Sequence, residues 1–122
     1  DAGVLSLVDV IVPNETESAA CGGTQVLLDA GVKTVLTTLG ERGAIINTHT
    51  SAASIAPHKV IAVDTVGAGD AFIGALSAEL ARGATISDAA AVGAVAGALS
   101  TTVHGAVPSL PTQSSVRSAM NK

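Results

Sequence analysis

Residues Asp64 to Phe72 read DTVGAGDAF, and apolar side chains then recur at helical spacing through Phe72, Ile73, Leu76 and Leu80. A chain with this pattern must turn sharply and enter a helix near Ala68 that runs to Arg82, where Gly83 closes it. A glycine-rich turn at a helix start gathers free backbone N–H groups at the positive end of the helix dipole, which is an anion cradle. Asp70 falls in that first turn. It either caps the helix or works beside a bound phosphate.

Phe72 is the only aromatic residue among 122, although 48% of the chain is hydrophobic. The core must therefore be filled by Ala, Val, Leu and Ile, which favours close helix–sheet packing. A charged fraction of 13% speaks against disorder, and a net charge of −4 gives no electrostatic footprint for nucleic acid or an anionic membrane. Cys21 stands alone, which excludes a disulfide framework and a zinc ribbon, and it reads as inert. No apolar run is long enough to span a bilayer, and the richest, Ala89 to Leu99, is dominated by Ala and Gly. No secretory signal opens the chain, so the expected setting is reducing and cytoplasmic. Asp1 is not an initiator methionine, as expected of a processed chain or a piece of a longer one.

Upstream, Val8 to Val12 reads as a buried strand stopped by Pro13, and Asn14-Glu-Thr-Glu17 as a polar turn with helix-entry character. Thr24 to Ala30 is a short helical segment ended by Gly31. Lys33 to Leu39 and Ala44 to Asn47 are strand candidates around the turn Gly40-Glu-Arg-Gly43, and Thr48 to Pro57 is a loop or edge segment. Val60 to Val63 is a further β-branched run. Ser87-Asp88 is expected to cap a second long helix through Ser100, on which Gly93 and Gly97 imply close packing. Thr112 to Met120 can form a last helix. Strands alternating with helices indicate an α/β layer covered on both faces.

The glycines do not make a dinucleotide fingerprint, because Phe72 occupies the place of the third glycine. They do not make a P-loop, because no Lys-Ser or Lys-Thr follows. One functional reading uses the whole motif. Backbone N–H groups of Gly67, Ala68 and Gly69 hold a phosphoryl group in transfer, and Asp70 takes the proton of the attacking hydroxyl. The bland alternative is that Asp70 is an N-cap with turn glycines ahead of it. Glu17 could likewise be a first-turn acid, Ser109 plain turn chemistry, and Thr37 and Thr38 ordinary strand threonines. His49, His58 and His104 share no metal-ligand spacing.

Asp64 to Phe72 resembles throughout the D-T-x-G-A-G-D-x-F signature of the ribokinase-like (PfkB) carbohydrate kinases. Three more elements resemble that family in its order: Asn14-Glu-Thr-Glu17 after a strand and proline, Thr38-Leu-Gly-Glu-Arg-Gly43, and the ending Gly105-Ala-Val-Pro-Ser109. The resemblance implies an α/β fold, the three-layer ribokinase-like one, of which this chain is the C-terminal portion with a mostly parallel sheet flanked by helices. Residues 1–122 would be its ATP-binding and catalytic part, without the N-terminal sugar-binding part and its β-lid. A departure lies between Glu17 and Val35, where Cys21-Gly22-Gly23 shortens a helical stretch.

Roles follow from the resemblance residue by residue. Asp70 would be the catalytic base and contact the substrate, with Gly67, Ala68 and Gly69 as the anion hole. Asn14, Thr38, Leu39, Gly40, Glu41, Arg42 and Gly43 would line the ATP site, together with Gly69 and Asp70. Glu17 would help position a hydrated Mg2+. K+ would be held by the Asp64 and Ser109 side chains and by backbone oxygens of Val66, Ser100, Val103 and Gly105. The implied activity is ATP-dependent phosphorylation of a sugar hydroxyl, with ribose at O5 the favoured acceptor. Other PfkB-type sugar or nucleoside kinases, and a non-catalytic nucleotide-binding remnant, stay open. The implied partners are ATP and a small sugar, and a homodimer for a full-length chain.

Overall fold

The computed structural model describes residues 2–121; Asp1, noted above, lies outside the described residues. The chain forms two units, the first ending at Ser54 and the second beginning at Ile55.

In the first unit a short helix α1 (Ala2–Leu5) leads to β1 (Val10–Ile11), followed by α2 (Glu15–Ala20), α3 (Thr24–Asp29), β2 (Thr34–Thr38), a 3-10 turn (Gly40–Arg42) and β3 (Ala44–Thr48). The edge strand β4 (Ala52–Ile55) completes a four-stranded sheet of order β1-β2-β3-β4. β1 pairs with β2 in parallel, Val10 opposite Thr34, whereas β2 and β3 are antiparallel from Thr34–Thr48 to Thr38–Ala44. The helix-flanked α/β sheet is as expected, but it is mixed: the expected parallel pairing is found at β1–β2 and not at β2–β3.

β1 is also shorter than the five-residue buried strand expected, and half-buried. Pro13 offers no N–H, and the pairing continues past it only through the Pro13 carbonyl, which accepts from Thr38 N–H at 2.9 Å. Behind the sheet, Leu27, Leu28, Val32 and Val35 form a buried cluster onto which Leu5, Val8 and Ile11 pack. The shortened stretch resolves into two six-residue helices separated by Cys21, Gly22 and Gly23. Gly22 and Gly23 have φ of +92° and +100°, a sharp bend that larger residues resist.

The second unit carries α4 (Ala68–Ala81), α5 (Ile86–Ser100) and α6 (Gln113–Met120). α4 is the helix expected from Ala68, ending at Ala81 with Arg82 as its C-cap, and α6 is the last helix expected, its Thr112 serving as the N-cap. The α5 cap differs. Thr85, not Ser87, is the N-cap, and its hydroxyl accepts from Asp88 N–H at 3.1 Å. Val60–Val63 forms no strand, and Ile61 is 89% exposed. Val92, Val95, Ala96 and Val116 form the buried cluster here, with Ala75, Leu99 and Ala119 around it. Glu79 is buried on α4 and accepts hydrogen bonds from Arg82 and Arg117, so one carboxylate ties α4 to α6. None of the described helices is long and apolar enough to cross a membrane.

Candidate active site

In the first unit the parallel strands β1 and β2 end side by side, bridged by Asn14 and Thr38. The turns following them therefore emerge together, at the carboxyl end where open α/β sheets bind ligands. Asn14 caps α2 through a reciprocal capping box. Its Oδ1 accepts from Glu17 N–H at 2.8 Å, and Glu17 Oε2 accepts from Asn14 N–H at 2.9 Å. The Asn-x-x-Glu spacing thus satisfies two otherwise unpaired donors while fixing both side chains at the mouth of the turn. The other Glu17 oxygen has no hydrogen-bond partner among the described residues. The second turn closes by Leu39 N–H donating to Gly43 O at 2.8 Å, with φ of +61° at Gly40 and +90° at Gly43. Arg42 then pairs with Glu15 on the first turn of α2, a link between the two turns that the sequence reading did not include.

In the second unit Gly67 is the N-cap of α4, in the left-handed conformation with φ +85°, and no side chain caps the helix. Asp70 is therefore not the cap. It lies in the first helical turn, exposed, with no hydrogen-bond or ion-pair partner among the described residues. Gly67 and Gly69 N–H likewise lack an acceptor among the described residues, whereas Ala68 N–H donates to Thr65 O at 3.2 Å. An anion bound at all three would have to draw the Ala68 N–H away from that turn.

The turn is laced to the chain after α5. Asp64 Oδ1 accepts from Val66 N–H at 3.0 Å, and Oδ2 accepts from Gly105 N–H at 2.9 Å, with His104 Nδ1 at 3.9 Å. Val63 and Asp64 N–H both donate to Thr101 O. The Gly105 and Val66 N–H groups, in that order, hold the Asp64 carboxyl below its ordinary value of 3.8; partial burial opposes them and His104 assists weakly. Ser100 and Ser109 are buried, each donating its hydroxyl to a carbonyl three residues back, Gly97 O at 2.8 Å and Ala106 O at 2.7 Å. Val66 and Val103 are exposed at the same loops. Asp64, Val66 and Gly105 are thus joined directly.

This carboxylate carries a pH prediction. Because its folded value lies below 3.8, its two N–H bonds stabilise the loops fully at higher pH and are lost as pH falls through the folded value. The stability gap between wild type and Asp64→Asn, whose amide nitrogen would face an N–H donor, should be constant near neutrality. It should shrink as the pH drops through and below the ordinary carboxylate range. Chemical denaturation at a series of pH values measures it; a gap independent of pH down to acid unfolding would show that the latch carries no weight.

Residues 2–113 match the pfkB family of carbohydrate kinases. The ribokinase of Staphylococcus aureus (strain COL) is 40% identical over 121 residues, covering 88% of this chain and 40% of that protein. The crystal structure of ribokinase from Thermotoga maritima superposes with a TM-score of 0.94 at 30% identity, covering 100% of this chain and 45% of the other. Arabidopsis thaliana ribokinase complexed with ribose and ATP gives 0.88 at 31% identity, covering 100% and 44%. Other similar proteins are named fructokinase and deoxyribokinase. The chain thus has the ribokinase-like fold while spanning less than half the length of these relatives. It belongs to the pfkB family of carbohydrate kinases.

Proposed function

We propose that this chain is the nucleotide-binding and catalytic part of an ATP-dependent kinase that transfers the γ-phosphoryl group to a primary sugar hydroxyl, with ribose at O5 the favoured acceptor. The observation that carries the reading is Asp70: a carboxylate in the first turn of α4, following Gly67 and Gly69, with neither its side chain nor those two N–H groups partnered among the described residues. A residue kept only for capping would be bonded to the helix start, and this one is not.

In this reading the N–H groups of Gly67 and Gly69, joined by that of Ala68, hold the equatorial oxygens of the phosphoryl group as charge moves onto them. Asp70 orients the attacking hydroxyl and accepts its proton. Asn14 and the turn from Thr38 to Gly43 hold the nucleotide. Ordinary Mg2+ sites keep several waters and use one or two carboxylates besides the substrate phosphates, so a single fixed carboxylate, Glu17, suits the role. Bound there, Mg2+ would neutralise phosphate charge. For K+, the Asp64 and Ser109 oxygens with carbonyls of Val66, Ser100, Val103 and Gly105 make an all-oxygen set fit for a hard cation, and K+ would order the loops beside the anion hole. The reaction is placed in the cytoplasm, and a full-length chain is proposed to act as a homodimer.

A second reading is a nucleotide-binding remnant of such a kinase without turnover. The test is ADP release by the purified chain with Mg2+ and K+, with ribose, fructose or a nucleoside as acceptor. Acceptor-dependent release, greatest with ribose, supports the kinase reading. Binding of an ATP analogue by calorimetry without release above an Asp70→Ala control supports the remnant reading.

A further inference from the structure

We propose that Gly97 is a positioning residue for phosphoryl transfer: the bare face of α5 at Gly97 sets where the Ala68 end of α4 rests, and hence where the Gly67–Gly69 N–H groups and Asp70 stand. This rests on the phosphoryl-transfer reading of that turn. A Cβ on Gly97 would come within 3.1 Å of Ala68 O and 3.6 Å of Phe72 Cβ. One turn earlier, a Cβ on Gly93 would meet Phe72 O at 3.0 Å and two of its ring carbons at 3.3 Å. Two backbone carbonyls of α4 thus lie against the places on α5 where side chains are missing.

Neither glycine is needed for its own conformation. Both lie inside a regular helix without positive φ, where alanine is the better helix former. Their use is the close approach. The two are unequal, because Gly93 meets α4 at Phe72, inside the helix, while Gly97 meets its first residue, within the anion-binding turn. The other side of Gly97 is engaged as well. Its carbonyl accepts the buried Ser100 hydroxyl at 2.8 Å, and the next residue, Thr101, accepts from Val63 and Asp64 N–H at 2.7 and 2.9 Å. The C-terminal end of α5 therefore supports the motif at two points, at Asp64 ahead of the glycines and at Ala68 between them.

A methyl group at Gly97 displaces the Ala68 carbonyl by a few tenths of an ångström without removing any hydrogen bond. Misplacement by 1 Å costs on the order of a hundredfold in rate, so a drop in kcat of about tenfold is expected. The test uses 15N-labelled protein as wild type, Gly97→Ala and Gly93→Ala. Gly97→Ala should shift the amide resonances of Gly67 to Asp70 more than Gly93→Ala does, with Tm unchanged or raised. Where the protein turns over, kcat should fall while KM for ATP stays constant. Unmoved amides at Gly67 to Asp70, or equal movement in Gly93→Ala, would overturn the proposal. So would an unfolded Gly97→Ala, because the role assigned is placement and not stability. The amide readout needs no turnover: moved amides in a protein that never consumes ATP would sink the kinase reading and leave the placement standing.

Discussion

Asp70→Asn is expected to abolish most of the proposed acceptor-dependent ATP consumption, by about 10²- to 10⁴-fold, the range typical of a positioned general base. The substitution is nearly isosteric and removes the proton-accepting charge, so it separates chemistry from shape. Little else should change. Asp70 is exposed, caps nothing and bonds to nothing among the described residues, and the turn is held by Gly67 instead. The only stabilising term lost is the attraction of a first-turn carboxylate to the helix dipole, about 0.3–1 kcal/mol. ATP affinity should hold or tighten slightly, since a negative charge leaves the vicinity of the phosphates. The discriminating measurements are single-turnover phosphoryl transfer and nucleotide binding on the same sample, checked by thermal unfolding. A variant that keeps its turnover would remove Asp70 from the reaction. A variant that unfolds would show that the carboxylate had a structural partner after all.

That contrast was only half legible in the sequence. The motif DTVGAGDAF identifies a turn, a helix start and a family, but cannot say whether Asp70 caps the helix. Gly67 decides that by adopting a left-handed φ, a fact of the backbone and not of the letters. The helix entry at Asn14-Glu-Thr-Glu17 was legible, and its capping box, though not read, lies within four consecutive residues. The α5 cap was legible too, but misread: Thr85 and Asp88 have capping-box spacing, and Ser87 merely stands next to the acid. β-branched runs promised more strand than pairing supports among the described residues. Val8–Val12 yields only the two residues that pair with β2, and Val60–Val63 yields none. A strand is stabilised by what pairs with it, whatever its propensity. The resemblance put Asp64 and Gly105 at one site, but residue patterns alone could not give the hydrogen bond between them, since they are 41 positions apart.

The two outer glycines of Gly67-Ala-Gly69 are alike in the sequence and should respond oppositely to alanine. Gly67 has φ +85°, and a Cβ there would stand 3.1 Å from Ala106 Cα and 3.3 Å from Ala106 Cβ. A left-handed backbone costs a non-glycine residue about 1–2 kcal/mol. The contact adds to that, because Ala106 follows Gly105, whose N–H is held by Asp64, and the loop cannot retreat without breaking that bond. Gly69 lies inside the first turn of α4 with helical φ and nothing within 4 Å of its Cβ position. There alanine lowers unfolded-state entropy and favours the helix, by up to about 1 kcal/mol. Urea denaturation should therefore show Gly67→Ala destabilised and Gly69→Ala unchanged or stabilised, a separation of about 2–3 kcal/mol. Both should lose phosphoryl transfer, Gly67→Ala by displacing the N–H groups and Gly69→Ala by placing a methyl group where the phosphoryl oxygens approach. Equal destabilisation would mean that the turn is not the left-handed cap of α4. A Gly69→Ala variant with full turnover would mean that the phosphoryl group does not come that close, and that Gly67 alone of the pair serves the anion.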